Sequence, residues 1–137
     1  MTPPRLPFLL LFRESSPELY RPLSARQRQQ LLERWTAWYD GLAALGKVHH
    51  GHPLEPEGRI VSGPRGERVA EGNLADSGES IAGYFLLTVT DLDEATRIAQ
   101  ECPTLDYGMR VEVRAISDCC HLAHSLTHHP AAESLSA

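Results

Sequence analysis

The chain has no long hydrophobic run, which argues against a membrane-spanning helix. Its longest uninterrupted apolar stretch is Phe8–Phe12, whereas a span takes about 20 residues. The segment Leu6–Phe12 is also too short for the hydrophobic region of a signal peptide, and no small-residue cleavage site follows it. Apolar residues make up 42% and charged residues 23% of the chain, an ordinary globular mixture. We therefore predict no membrane partner.

Cysteine and positive charge are also scarce. Cys102, Cys119 and Cys120 cannot form a disulfide framework, which favours a reducing, cytoplasmic location. The formal net charge is −5 and the basic residues are scattered, whereas phosphate binding needs a concentrated basic patch. The sequence therefore predicts no nucleic-acid partner.

Motifs of several familiar catalytic sites are missing as well. The chain has no glycine-rich phosphate loop, no GxSxG, no CxxC and no HExxH. We accordingly predict no cofactor and no metal, and function has to be argued from the fold and from clusters of side chains.

The first half of the chain carries a strand, a long helix and several short extended segments. Phe8–Phe12 is typical of a short buried strand. Ser24 and Gln27 form a capping box before apolar residues at helical spacing, which predicts a helix over 24–45 that Gly46 ends. The other predicted elements are a strand over Lys47–Pro53, hairpin arms over Arg59–Ser62 and Arg68–Ala70, and a polar loop over 71–80.

The stretch Ile81–Ile116 gives the clearest structural signal: a strand, a capped helix and a second strand. Ala82–Thr90 is predicted as a strand with Tyr84, Leu86 and Thr88 on one face. The helix that follows is predicted to begin at an Asp91 cap, with Glu94 in the capping-box position, and to end at Pro103. Its buried stripe consists of Leu92, Ala95, Ile98, Ala99 and Cys102. The last predicted strand has Met109, Val111, Val113 and Ala115 alternating with charged residues.

This order predicts an α+β protein of the ferredoxin-like βαββαβ type, with an extra hairpin. Both helices should cover one face of an antiparallel sheet. The opposite face mixes the apolar side of Tyr84–Val89 with the polar row Arg110, Glu112 and Arg114. A second sheet packed on that face would explain the mixture, so we expect a homodimer with a partly polar cavity between two facing sheets. The domain covers residues 1–116, and residues 117–137 form a flexible or weakly helical tail.

Three blocks of sequence resemble the YCII-related family, in its DGPF-domain branch. They are FLLLFR at Phe8–Arg13, GHPLEPEGRIVSG at Gly51–Gly63, and the block Gly83–Ile116 with its Cys-Pro and Val-Glu-Val-Arg segments. The resemblance covers residues 6–116 and implies a ferredoxin-like fold assembled as a dimeric α+β barrel. Most members of the family have no assigned reaction. Some relatives resemble small-molecule lyases acting on aromatic compounds, with a proposed His–Asp pair.

The chain departs from the family pattern in two places. Where the branch has Asp-Gly-Pro-Phe, this chain has Glu71-Gly72-Asn73-Leu74. The proposed catalytic histidine of the family follows an Arg-Pro pair, in or just before the first helix. Here Arg21-Pro22 is present, but Leu23–Leu45 contains no histidine. The His–Asp pair therefore cannot be carried over to this chain.

Two clusters could form a small-molecule site. His49, His50 and His52 lie in a predicted strand, where His50 and His52 would share one face and His49 would point the other way. Either of the two could act as a general acid or base. Polar residues at a strand end are the simpler interpretation. A metal site is a further alternative, for which Asp76 or Glu71 could add a carboxylate from the following loop.

Arg13 and Arg110 form the second cluster, since they would lie at neighbouring strand ends and could bind an anion together with Arg114. Salt bridges to Glu112 or Asp106 are the alternative.

Two further groups of residues have simpler explanations than a ligand site. Trp35, Trp38 and Tyr39 follow helical spacing and fit a core, and holding a planar ligand is the alternative. The tail contains Cys119, Cys120, His121, His124, His128 and His129. These residue types suit zinc, but their spacing matches no standard zinc module, so incidental composition is the simpler interpretation and metal binding the alternative.

Together these features predict a small soluble YCII-related protein of unassigned activity. It would bind a small molecule between the two sheets of a homodimer, with Arg13, His50, His52, Asp76 and Arg110 as the binding residues. The alternative is a lyase or isomerase in which His50 or His52 is the general base.

Overall fold

The computed structural model describes residues 4–15, 18–74 and 78–127. Asp76, His128 and His129 lie outside these ranges. The strands are β1 (Leu6–Glu14), β2 (Val48–Pro53), β3 (Glu57–Ser62), β4 (Arg68–Asn73), β5 (Ser80–Val89) and β6 (Arg110–Ala115). The helices are α1 (Ala25–Ala44), α2 (Leu92–Ala99) and α3 (His121–Thr127), with short 3-10 turns at Pro64–Gly66 and Pro103–Tyr107.

Four of the strands form one antiparallel sheet in the order β2-β5-β1-β6. In this order each βαβ crossover skips one strand, which is the ferredoxin-like arrangement. Among the residues that the structure describes, β3 and β4 pair only with each other, as a two-stranded ribbon inserted between β2 and β5 in the sequence. The predicted α+β class, the order of elements along the chain and the extra hairpin are confirmed.

The two faces of the sheet differ sharply in burial. Alternate residues of β1 and β5 are buried, including Leu10, Phe12, Phe85 and Leu87. They pack with residues of α1 and α2 in one core, to which α2 contributes Ala95, Ile98 and Ala99. Both helices therefore cover this face, as predicted. The other face, hereafter the open face, carries Leu9 and Leu11 of β1, Tyr84, Leu86 and Thr88 of β5, and Glu112 of β6.

The ends of the helices follow local sequence signals. Ser24 and Gln27 form the predicted capping box, and Gly46 follows α1 with a φ of 71°. At α2, the Asp91 side chain accepts from the Glu94 backbone N–H at 2.8 Å. The Glu94 carboxylate accepts from the backbone N–H and the hydroxyl of Thr90 instead of completing a capping box, and it pairs with Lys47 at 2.9 Å.

Two further predictions about local structure were wrong. The strands β4 and β5 take both ends of the predicted 71–80 loop, because Glu71 and Gly72 continue the ribbon opposite β3 and Ser80 pairs with β1. Leu92 is 53% exposed because it lies at the start of α2, outside the buried stripe.

The inserted ribbon leaves and rejoins the sheet at one point. Pro53 of β2 stands opposite Gly83 of β5, and the backbone N–H of Leu54 donates to the carbonyl of Ala82 at 2.7 Å. Its apolar residues are largely exposed: Ile60 is 55%, Val61 63% and Val69 53% exposed. The ribbon therefore adds little to the core. Within the described ranges, no helix is long and apolar enough to cross a membrane.

Gly51 is required where β2 meets β5. A Cβ at this position would overlap the Phe85 ring and lie 2.7 Å from the Tyr84 carbonyl oxygen. We expect Gly51→Ala to lower the free energy of unfolding by about 1–3 kcal/mol, because a core ring would have to move. Urea denaturation measures the change.

Gly41→Ala is the matched control, since a Cβ on Gly41 of α1 has nothing within 4 Å. It should raise stability by about 0.5–1 kcal/mol, as alanine is the better helix former. Equal effects of the two substitutions would contradict the steric explanation.

Glu94 should make the free energy of unfolding depend on pH in the acid range. Its hydrogen bond from the Thr90 backbone N–H, reinforced by Lys47, lowers the pKa of Glu94 from 4.5 to about 2. A carboxyl group with a depressed folded-state pKa stabilises the fold above its unfolded pKa, and that stabilisation is lost as pH falls from about 4.5 to about 2.

We expect Glu94→Gln to destabilise the protein by about 1–2 kcal/mol at pH 7 and to flatten this acid dependence, because the amide carries no charge for Lys47. Urea denaturation at neutral and acid pH measures both effects. Glu101→Gln, at an exposed position after α2, is the control. An acid dependence unchanged in Glu94→Gln would contradict this role.

Candidate functional site

A groove lies between α1 and the β2–β5 edge of the sheet, and it also reaches His52 and Tyr84, which belong to the open face. We call it the α1 groove; it consists of two adjoining chambers of about 430 Å³ each. Leu32, Trp35, Pro53, Ala82 and Met109 line both chambers. The inner chamber is further lined by Phe12, Thr36, Tyr39, Gly51, His52, Gly83, Tyr84 and Phe85, and the outer chamber by Glu14, Tyr20, Arg28, Leu31, Leu54 and Thr104.

Aromatic packing shapes the inner chamber. Phe12 and Phe85 meet edge to face with ring centroids 4.8 Å apart, and Trp35 lies 5.0 Å from Phe12 in the same manner. Edge-to-face rings are favourable contacts but fill space incompletely. Gly51 and Gly83 add no side chain at this point, so room remains under α1. The predicted core role of Trp35 and Tyr39 is confirmed, and both also line the chamber.

The outer chamber has a polar end built from the strand end of β1 and the turn after it. The Tyr20 hydroxyl donates to Glu14 Oε2 at 3.4 Å. The Tyr20 ring meets Tyr107 edge to face at 6.4 Å. Thr104 also lines this chamber, and its hydroxyl donates to Met109 Sδ at 2.9 Å. A carboxylate and a phenol therefore face a mainly apolar space.

Burial changes the acidity of both groups. It raises the pKa of Glu14 above 4.5, and the hydrogen bond from Tyr20 only partly offsets this. Burial, together with the negative charge of Glu14, raises the pKa of Tyr20 to about 12. Perturbed acid–base groups that line a concave, mostly apolar space are typical of functional sites.

Sequence reasoning missed Glu14 and Tyr20. Glu14 follows Arg13 at the end of a strand, and Tyr20 lies in a polar stretch between Pro17 and Pro22 that has no periodic pattern. Tyr20 directly precedes the Arg21-Pro22 pair that the sequence comparison with the family singled out.

The histidines lie beside Tyr84. The ring centroids of His50 and His52 are 5.9 Å apart, and His50 Nδ1 is 3.1 Å from the Tyr84 hydroxyl. The prediction that His49 points the other way was wrong. A β-bulge between Val48 and His50 brings His49 Nε2 to 3.0 Å from Thr88 Oγ1, and Thr88 belongs to the open face.

The predicted arginine cluster is neutralised by carboxylates. Arg110 binds Glu79 through two hydrogen bonds, at 2.8 and 2.6 Å. Arg13 pairs with Glu79 at 3.1 Å and with Glu112 at 3.4 Å, and Glu112 also pairs with Arg114 at 2.9 Å. The hydrogen bond from Arg110 lowers the pKa of Glu79, and the same contact raises that of Arg110. Glu79 was missed as a partner, because nothing in the sequence shows that it faces β6.

The predicted binding residues therefore fall into separate places. His50, Arg13 and Arg110 are not among the residues that line the α1 groove, whereas His52 is. Among the described residues, no three histidine, cysteine or acidic side chains are grouped to hold a metal ion. Burial raises the pKa of the Cys102 thiol, which keeps it protonated.

The fold and the groove define a ferredoxin-like α+β domain with a small-molecule-sized cavity on its helical side. A family model for the YCII-related domain matches residues 11–118, so the chain belongs to the YCII-related family. The resemblance seen in the sequence is thereby confirmed at the level of the family, while the DGPF-domain branch stays a prediction. No curated protein matches the chain.

Proposed function

We propose that this chain is a small-molecule-binding protein that holds a compact, mainly apolar ligand with one polar group in the α1 groove. The observation that carries the proposal is the combination of aromatic walls with a polar end formed by Glu14 and Tyr20. Sites for small ligands are concave, mostly apolar and supplied with few polar groups, commonly within about 300–1,000 Å³.

The proposal includes a homodimer formed through the open face. Leu9, Leu11 and Leu86 are only half-buried there, and Leu9 stands opposite Leu86. Burying such a surface against a second sheet removes apolar area from water. The ion pairs of Arg13 and Arg110 with Glu79 flank these leucines with charges that already have partners, so a second copy could approach without unpaired charge.

A second candidate site lies between the two sheets of that dimer, as the sequence predicts. The observation that favours it is the cluster of His50, His52 and Tyr84, whose rings lie within 5.9 Å of one another. Arg13 and Arg110 would contribute to this site only if a ligand displaced Glu79. Asp76, the fifth predicted residue, lies outside the described residues.

Narrowing the groove should weaken ligand binding. Leu32 lines both chambers yet is 57% exposed, so α1 can tolerate a larger residue there. We expect 2-naphthol to bind the protein and Leu32→Trp to weaken binding at least tenfold, which corresponds to about 1.4 kcal/mol. Saturation-transfer NMR on the naphthol protons measures affinity without relying on tryptophan emission.

Leu45→Trp is the matched control, because Leu45 is exposed just after α1 and does not line the groove. His50→Ala tests the second site, since His50 is likewise not a groove residue. If binding is insensitive to Leu32→Trp but lost in His50→Ala, the ligand binds between the two sheets. This outcome would contradict binding in the α1 groove.

The open face should control assembly. We expect the protein to be a dimer by light scattering at micromolar concentration and Leu11→Glu to be monomeric, because a carboxylate would be buried without a partner. Leu122→Glu on α3, where Leu122 is 74% exposed, should remain dimeric. A stable monomeric wild-type chain would remove the homodimer from the proposal.

A further inference from the structure

We propose that Glu14 and Tyr20 catalyse proton transfer at the carbon next to a carbonyl group, interconverting the keto and enol forms of a small apolar ketone. This inference rests on the proposed binding of a small molecule in the α1 groove. It replaces the predicted histidine base with a carboxylate and a phenol that share one chamber.

The geometry of the pair fits this reaction. The Tyr20 hydroxyl and Glu14 Oε2 are 3.4 Å apart, whereas an ordinary O–H···O hydrogen bond measures about 2.5–3.0 Å. The contact is thus loose enough for a ligand to compete for both oxygens. A proton acceptor and a donor this close can engage the α-hydrogen and the oxygen of one carbonyl group. Long contacts of this kind are common in unliganded sites and tighten when substrate binds.

The surroundings favour the required protonation states. Burial makes Glu14 a stronger base than an exposed carboxylate, and the raised pKa of Tyr20 keeps its phenol protonated as a donor at neutral pH. Arg28 is the other charged side chain that lines the outer chamber, and His52, Tyr39 and Tyr84 are the titratable residues of the inner one. Leu31, Leu32 and Trp35 give the chamber an apolar wall against which a cyclic ketone can lie.

The step balances without a cofactor or redox partner. The Glu14 carboxylate takes the proton from the α-carbon, and the C–H electron pair becomes the new carbon–carbon double bond. The carbonyl π pair moves to oxygen, which takes the proton of the Tyr20 hydroxyl. Protonated Glu14 then returns its proton to the Tyr20 oxygen across their contact. The ketone has become an enol, and both side chains are restored.

The test uses 2-tetralone as the probe in deuterated buffer, with proton NMR following exchange of its α-hydrogens. The full chain should accelerate exchange over buffer. Glu14→Gln should reduce the accelerated rate by about 100-fold or more, as expected for loss of a general base. Tyr20→Phe should reduce it by about tenfold or more, because the developing oxyanion loses its donor. The exchange rate should also rise with pH as Glu14 loses its proton, and this rise should occur at a pH above the pKa of an ordinary glutamate.

Glu33→Gln is the matched control, because it neutralises an exposed carboxylate of α1 that does not line the groove. Circular dichroism checks that each variant is folded, and saturation-transfer NMR measures 2-tetralone binding in parallel. Binding retained with exchange lost in Glu14→Gln supports the inference. Binding without accelerated exchange, or exchange that survives in Glu14→Gln, overturns it and leaves the proposed function standing. If the wild-type chain neither binds 2-tetralone nor accelerates exchange, both this inference and the proposed function are contradicted.

Discussion

The packing of α1 on Phe12 and Phe85 is the contact on which the rest of this structure depends. These two rings come from adjacent central strands and hold Trp35 and Trp38 at centroid distances of 5.0–6.0 Å. Such a cluster buries a large apolar area and anchors a helix whose other positions are mostly exposed. The same rings cannot close the space beneath the helix, so one set of contacts both stabilises the fold and leaves the α1 groove.

The division of the sheet into two faces separates two roles. The helical face supplies the core and a cavity whose polar groups are few and desolvated. The open face supplies paired charges, three histidines and a strip of leucines, all accessible to water in the single chain, and two of its residues, His52 and Tyr84, also border the α1 groove. A ligand on the helical side would therefore meet groups with perturbed acidity, whereas a partner on the open side would meet a surface with its charges largely matched.

Periodicity was sufficient to predict the fold, because burial repeats along each element: alternation in β5, helical spacing in α1 and glycine after it all act locally. The candidate site was harder to predict. Glu14 ends β1 and Tyr20 lies outside any helix or strand, so no periodic signal encodes their contact, and the pairing of Glu79 with Arg110 depends on two segments distant in sequence. His49 shows a third limit, since one bulged residue reverses the face on which a strand side chain lies.

The ribbon of β3 and β4 has a consequence for how the chain folds. Because Pro53 and Gly83 are already opposite each other where the ribbon leaves and returns, the main sheet closes through β2 and β5 whether or not the ribbon has formed. Closing a longer loop costs entropy only as the logarithm of its length. The ribbon is thus an insertion that the four-stranded sheet does not need in order to form. A change in the length of the ribbon would therefore leave the pairing of Pro53 with Gly83, and with it the four-stranded sheet, in place.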